Sequence, residues 1–184
     1  MKEISLNILD IAENSVRANA TITTIEIIET ADTLTLKISD DGHGMEQEVV
    51  KGVINPFYTT RTTRSVGLGI PLIKLAAEQT GGSFSINSKH ISSHPENHGT
   101  EVVVKFIKTH IDYTPLGDTV STVTTLIQGH PETDFLFEHS FGGKSVLLDT
   151  RELRQELGEL PLNTYEVIKW VEEYLVEQYS QLYS

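Results

Sequence analysis

Apolar residues recur at helical spacing over residues 4–19, where Ile4, Ile8 and Ile11 fall on one stripe that Leu9, Ala12 and Val16 extend. On the same segment Asp10, Asn14 and Arg17 stand at i, i+4 and i+7 and share a second, polar face. The period then changes to two. Ile25 and Ile27 alternate with polar residues, Ala31-Asp32 can turn, and Leu34, Leu36 and Ile38 alternate again, which predicts a hairpin. Residues 40–66 hold few periodic apolar positions and read as loop with at most a short helix. Helical spacing returns over 69–80 and stops at Gly81-Gly82; strands over 83–88 and 101–107 follow around a polar loop.

Residues 112–118, which include Pro115 and Gly117, read as a linker. Beyond them a helix over 119–128 is predicted, closed by Gly129 and Pro131, although its threonines favour strands. Residues 134–139 and 144–148 form a hairpin pattern around Gly142-Gly143. Asp149-Thr150-Arg151-Glu152 has the spacing of a capping box and opens a short helix to Leu157. Asn163-Thr164-Tyr165-Glu166 repeats that signal ahead of a long helix with the stripe Val167, Ile168, Val171, Leu175 and Leu182. We expect an α+β protein with antiparallel strands in two domains, residues 1–110 and an acidic α+β extension, 111–184.

Charge sharpens that division. The chain of 184 residues has 14 Lys+Arg against 26 Asp+Glu, net −12. Residues 1–110 hold 10 basic and 13 acidic residues, and residues 111–184 hold 4 and 13. A substrate that is itself anionic would therefore have to bind on the first part. The balance has the wrong sign for displacing counterions from nucleic acid or for an anionic membrane surface, so neither is an expected partner. With no cysteine, disulfide scaffolds, zinc ribbons, iron–sulfur sites and cysteine nucleophiles are excluded. No apolar leader or spanning run is present, and we expect a cytoplasmic protein.

Four segments carry candidate chemistry: Asp10 to Arg17 on the opening helix; Asp40-Asp41-Gly42-His43-Gly44-Met45 directly after a strand; Pro56-Phe57-Tyr58-Thr59-Thr60-Arg61; and Gly67-Leu68-Gly69-Ile70, opening a helix. A carboxylate at a strand end can accept from an exocyclic amine, and glycines two and four residues on let backbone approach a flat ring. A glycine pair at a helix start offers free N–H groups and the positive end of the helix dipole to phosphate. The amide oxygen of Asn14 is a hard ligand suited to magnesium already held by phosphates. Each segment alone has an ordinary reading, as a surface turn, a glycine turn or an exposed helix residue. His90, His94 and His98 repeat every four residues, but Pro95 and the surrounding polar residues argue against a helix that would align them, so a solvated loop is expected there.

In this order and spacing the four segments resemble the N, G1, F and G2 boxes of the GHKL superfamily, which includes gyrase-type topoisomerases, heat-shock chaperone ATPases, histidine kinases and mismatch-repair ATPases. Gly99-Thr100 resembles its final glycine–threonine box, and the resemblance covers roughly residues 4–107. It implies a two-layer α/β sandwich that binds ATP and Mg2+. By the same resemblance Asn14 holds magnesium, Arg17 approaches the phosphates and Asp40 reads adenine beside Gly42 and Gly44. Tyr58, Thr59, Thr60 and Arg61 match a histidine-kinase lid; Gly67, Leu68, Gly69 and Ile70 match the phosphate loop; Thr100 completes the site.

Three departures qualify the resemblance. No segment resembles the dimerisation helix with its phospho-accepting His followed by Glu, and few residues precede the N box, so the extension or a partner is expected to supply part of the common fold. Asp10 occupies the position where other branches carry a Glu general base and histidine kinases commonly carry Asn. The segment between Met45 and Gly67 is short, as in the kinases. The expectation is a Mg·ATP-binding protein that transfers the γ-phosphate to a separate protein acceptor or hydrolyses ATP slowly, with Asp10 as the catalytic residue. The alternative is a non-catalytic ATP-dependent switch or assembly factor. A protein partner is expected in either case, and homo-oligomers are possible. The extension is also similar to tails of small bacterial ATP-binding proteins encoded near iron-hydrogenase subunits.

Overall fold

The structure is a computed structural model describing residues 2–55 and 68–184. Six strands form one sheet: β1 (Ile22–Glu29), β2 (Thr33–Asp40), β3 (Ser83–Lys89), β4 (Gly99–Ile107), β5 (Asp134–Phe141) and β6 (Lys144–Asp149). The helices are α1 (Ile4–Arg17), α2 (Gln47–Ile54), α3 (Gly69–Gln79), α4 (Thr119–Gly129), α5 (Thr150–Leu157) and α6 (Tyr165–Leu182). The sheet order is β3-β4-β2-β1-β5-β6. Period-two alternation turns Ile25, Ile27, Leu36, Val104, Phe106, Phe135 and Phe137 to one face, where they meet Ile4, Ile8 and Ile11 of α1 in the core. The opposite face carries polar ladders such as Lys37, which pairs with Glu26 at 3.5 Å and Glu101 at 3.4 Å. This is the expected two-layer α/β sandwich.

One expectation is corrected. The strands are not all antiparallel, because β1 and β5 pair in parallel from Ile22↔Asp134 to Glu29↔Phe141. The reason lies in the helices. α1 and α4 pack against each other, and each leads through a short turn into its strand, so the two strands enter the sheet from the same end. Asp134 N–H donates to Thr21 O at 2.9 Å where the two turns meet. Alternating burial specifies a face and leaves direction open.

The extension therefore continues the sheet of the first 110 residues. The 112–118 segment does more than connect. Pro115 O and Leu116 O accept from Ile4 N–H at 3.0 Å and Ser5 N–H at 2.7 Å, two groups at the start of α1 that no helical carbonyl can reach. Asp118 caps α4 by accepting from Ser121 N–H at 2.8 Å. The α4 threonines are accommodated by back-bonding, as Thr122 Oγ1 to Asp118 O at 3.1 Å and Thr124 Oγ1 to Val120 O at 3.0 Å. Asp149 caps α5, although Arg151 rather than Glu152 returns to it: Asp149 Oδ1 accepts from Arg151 N–H and Nε, each at 2.9 Å. The second capping signal is also corrected, since α6 starts after Thr164 with no side-chain cap. Along α6, Val167, Val171, Leu175 and Leu182 are buried as expected, and Ile168 is half-buried.

Candidate functional site

Asp40 ends β2, and its carboxylate is fixed from two sides. Oδ2 accepts from Ser15 Oγ of α1 at 2.7 Å, and Oδ1 accepts from Gly42 N–H at 2.9 Å. The β2–β4 register sets Thr100 opposite Asp40. Thr100 Oγ1 and Ser88 Oγ lie 2.7 Å apart, and Ser88 Oγ accepts from Met45 N–H at 2.8 Å. The neighbouring Asp41 is spent on structure: it accepts from Thr21 N–H at 2.7 Å, from Ile22 N–H at 3.0 Å and from the Thr21 hydroxyl. Burial alone would raise its pKa, but these donors outweigh burial and lower it.

The loop after Asp40 is laced to its surroundings by backbone. His43 N–H donates to Ala18 O and Ile91 N–H donates to His43 O, each at 2.8 Å. His98 Nδ1 donates to Gly42 O at 2.6 Å. Two glycines here are required. Gly44 has φ +69°, and a Cβ there would run into the Lys89 carbonyl. A Cβ on Gly42 would lie 2.8 Å from both Cβ and O of Ala18.

These elements enclose a cavity of about 300 Å³ between α1, the ends of β2 and β4, the 41–49 segment and the start of α3. Ile11, Ile38, Met45, Val49, Ile70 and Val102 supply apolar walls, while Asp40, Thr100, Asn14 and Arg17 supply polar groups. Arg17 Nη1 donates to Asn14 Oδ1 at 3.3 Å. The cavity suits a flat, polar-edged ring, with the Arg17 guanidinium also on its lining for an anionic group and the Asn14 amide oxygen for a cation.

Asn14, Arg17, Asp40, Gly44, Ile70 and Thr100 thus come together around one cavity. Gly42 acts by holding Asp40. Asp10 is exposed and lies outside the lining, but it leans on the start of α3: a Cβ on Gly69 would sit 2.8 Å from Asp10 Cβ and 3.3 Å from Oδ2. Burial raises the Asp10 pKa, opposed by Arg17 and aided by Glu13. Leu68 is 61% exposed at the entry to α3. Tyr58, Thr59, Thr60, Arg61 and Gly67 lie outside the described residues. His90 bonds to Ser92 and His98 to Gly42 O, and among the described residues no cluster of three or more His, Asp or Glu is placed to hold a metal ion.

Sequence reasoning missed Ser15 and Asn7. Ser15 is 3% exposed and orients Asp40; its signal is its place next to Asn14 on a helix whose apolar stripe it interrupts. Asn7 extends the Asp10–Asn14–Arg17 face by one turn, is 4% exposed, and donates from Nδ2 to Gly69 O at 3.4 Å. His43 and His90 also line the cavity, with ring centroids 6.1 Å apart.

The family model for histidine kinase-, DNA gyrase B-, and HSP90-like ATPases matches residues 2–110. Sporulation kinase C of Bacillus subtilis is 30% identical over 91 residues, 48% of this chain and 20% of that kinase. The sensor histidine kinase YvrG of the same organism is 30% identical over 101 residues, 52% of this chain and 16% of that kinase. The matches thus span a fifth or less of these relatives' length. Among solved structures, the ADP-complexed MutL ATPase domain of Aquifex aeolicus aligns with a TM-score of 0.57 at 15% identity, over 96% of this chain and 70% of that one. The N-terminal domain of a DNA repair protein aligns with a TM-score of 0.51 at 20% identity, over 80% of this chain and 52% of that one. At these identities the likeness is one of fold. Among the described residues, no helix is long and apolar enough to cross a membrane.

Proposed function

Because the chain belongs to the histidine kinase-, DNA gyrase B- and HSP90-like ATPase family, we propose that its cavity binds ATP and that the γ-phosphate passes to a separate protein or, slowly, to water. The observation that carries the binding reading is the carboxylate of Asp40. Each of its oxygens takes one donor, from Ser15 and from Gly42. A carboxylate offers about four lone-pair sites, so acceptor capacity remains for an exocyclic amine on a ring held between the apolar walls. The carboxylate is already oriented before the ligand arrives, which lowers the ordering cost of binding.

Asn14 and Arg17 are the groups for the phosphate end. The fit of magnesium rests on the donor set: one neutral hard oxygen, Asn14 Oδ1, on the cavity lining. That suits an ion whose other ligands are phosphate oxygens and water. Asn14 would hold the ion, which neutralises phosphate charge when bound, and Arg17, now on Asn14 Oδ1 at 3.3 Å, would turn to the phosphates. The N-terminus of α3 adds free N–H groups and a favourable dipole. Asp10, against Gly69, holds a water near that helix start; its side chain is one methylene shorter than Glu, and a misplacement of about 1 Å costs on the order of a hundredfold in rate. Slow hydrolysis follows. The 30%-identical kinase relatives support transfer to a protein acceptor. A second reading, an ATP-dependent switch, is favoured by the hydrogen bonds that the first N–H groups of α1 donate to the carbonyls of residues 115 and 116, which tie the helix bearing Asn14 to the extension.

The test uses γ-labelled ATP and calorimetry. Asp40→Asn keeps the shape and loses the charge-assisted acceptor, so ATP affinity should fall about ten- to hundredfold with the fold intact. Unchanged affinity removes Asp40 from the site and ATP from the cavity. Label on a second protein supports transfer, label released only as phosphate supports an ATPase, and retained ATP supports the switch.

A further inference from the structure

α6 carries an aromatic pair at the margin of the core, where Tyr174 packs partly against it and Trp170 does not. Trp170 and Tyr174, one turn apart, stack with ring centroids 5.2 Å apart and planes 11° from parallel. Tyr174 OH donates to Leu147 O of the edge strand β6 at 2.9 Å, which fixes the lower ring. Trp170 is nevertheless 49% exposed, and Leu147 is 46% exposed. The pair is thus a stacked aromatic surface, anchored at Tyr174 and half-exposed at Trp170.

The helix flanks that surface with one sign of charge. Helical spacing puts Glu166 at i−4, Glu173 at i+3 and Glu177 at i+7 from Trp170, all on the same face and all exposed. The helix has a single cation, Lys169, which reaches Glu173 only at 3.9 Å. An electron-rich indole with Glu166 and Glu173 about one turn away on either side, and Glu177 one turn beyond, matches a cation: a guanidinium or ammonium gains from the ring quadrupole and from the charges together. We infer that this face of α6 docks a cationic helical segment of a partner protein, with an Arg or Lys over Trp170. Nucleic acid and anionic lipid carry the wrong charge for it. A second copy placed face to face would oppose the same three glutamates to themselves, and residues 111–184 hold 4 basic against 13 acidic residues. The inference is independent of the nucleotide reading.

Trp170 is the chain's one tryptophan, so it reports directly. The full chain is titrated with a synthetic amphipathic helical peptide carrying Arg and Lys on its polar face, and with the same peptide bearing Gln at those positions. The basic peptide should shift Trp170 emission saturably and the Gln peptide should not. Replacing Glu166, Glu173 and Glu177 together by Gln should weaken the peptide at least tenfold. Replacing Glu152, Glu156 and Glu159 on and after α5 removes the same charge elsewhere and should change affinity less than twofold. Equal weakening in both triple variants reduces the effect to net charge and overturns the inference. So does binding seen by calorimetry that leaves Trp170 emission unmoved, or no binding at all. A dimer that forms at micromolar concentration and shifts Trp170 emission without peptide assigns the face to a second copy and likewise overturns it.

Discussion

His139 sits in the middle of β5 with no exposed surface, and its surroundings allow a definite statement about pH. Its Nε2 meets Glu29 Oε2 at 3.0 Å and its Nδ1 meets Tyr179 OH at 2.9 Å, while the Tyr179 oxygen accepts from Thr119 Oγ1 at 2.8 Å. Glu29 is also held by Lys108 Nζ at 2.5 Å and by Tyr183 OH at 2.8 Å. The set suits a neutral imidazole that donates to Glu29 and accepts from Tyr179. Burial pushes Tyr179 up to about 12, so it remains a donor. Burial lowers the His139 pKa below its ordinary 6.5 and outweighs the pull of Glu29. Glu29 is lowered as well, because its hydrogen bonds from Lys108, Tyr183 and His139 overcome its own burial.

The unfolded chain then binds a proton at His139 as pH drops through 6.5, and the folded chain binds it only at lower pH. Stability is complete above that value and falls toward acid, by at most about 1.4 kcal/mol per pH unit for one proton. Between pH 7.5 and 5.5 the loss from this residue reaches about 1.4 kcal/mol if the folded form stays neutral throughout. His139→Gln can donate to Glu29 and accept from Tyr179 without titrating. Urea unfolding of both proteins across this window, followed by far-ultraviolet circular dichroism, should show the parent losing more stability than the variant, up to that amount. The other histidines are common to both proteins and cancel in the difference. Parallel curves for the two would refute the buried, neutral assignment.

The remaining predictions concern the site and the extension. Gly44→Ala forces a left-handed φ on a Cβ that meets the Lys89 carbonyl, so it should cost about 1–3 kcal/mol in urea unfolding and weaken ATP in calorimetry. Asp10→Asn should keep ATP affinity and lower phosphate release, and Asp10→Glu should raise it; an Asp10→Asn protein as fast as the parent removes Asp10 as the base. Truncation after residue 110 unpairs β1 from β5 and strips the acceptors from Ile4 and Ser5 N–H. The fragment should aggregate or melt without cooperativity, and a monomer with a sharp transition would make the extension an independent module.

What could be read from sequence follows from which features are local. Strand alternation, the apolar stripes of α1 and α6, and the glycine positions of the 40–45 segment each rest on residues a few places apart, and their periods survive folding unchanged. The parallel β1–β5 pair depends on two helices 115 residues apart packing side by side, for which Ile22 and Asp134 carry no mark. The 112–118 segment reads as a linker because proline and glycine break periodicity, yet its carbonyls complete α1. Thr164 replaces Asn163 as the boundary of α6 because capping residues signal a start only within a residue or two. Ser15 is legible only after Asp40 is placed above it, since a serine inside an apolar stripe is otherwise an ordinary helix residue.

α1 joins the two halves of the chain in a way that bears on the choice between enzyme and switch. Its polar face presents Asn14 and Arg17 to the cavity, and Ser15 holds Asp40. Its apolar face fills the core, its first N–H groups are bonded to residues 115 and 116, and it packs on α4, which packs on α6. A ligand that draws on Asn14 and Arg17 therefore acts on a helix whose start is held by the extension. The coupling is only as large as the difference in ligand affinity between two positions of that helix, and a helix bonded at its start and packed along one side resists small displacements and favours discrete ones. The joining of α1 to residues 115 and 116 thus links the cavity to the extension. Under the proposed function, transfer and switching are compatible uses of the same architecture, separated by what Asp10 and an acceptor would do with the γ-phosphate.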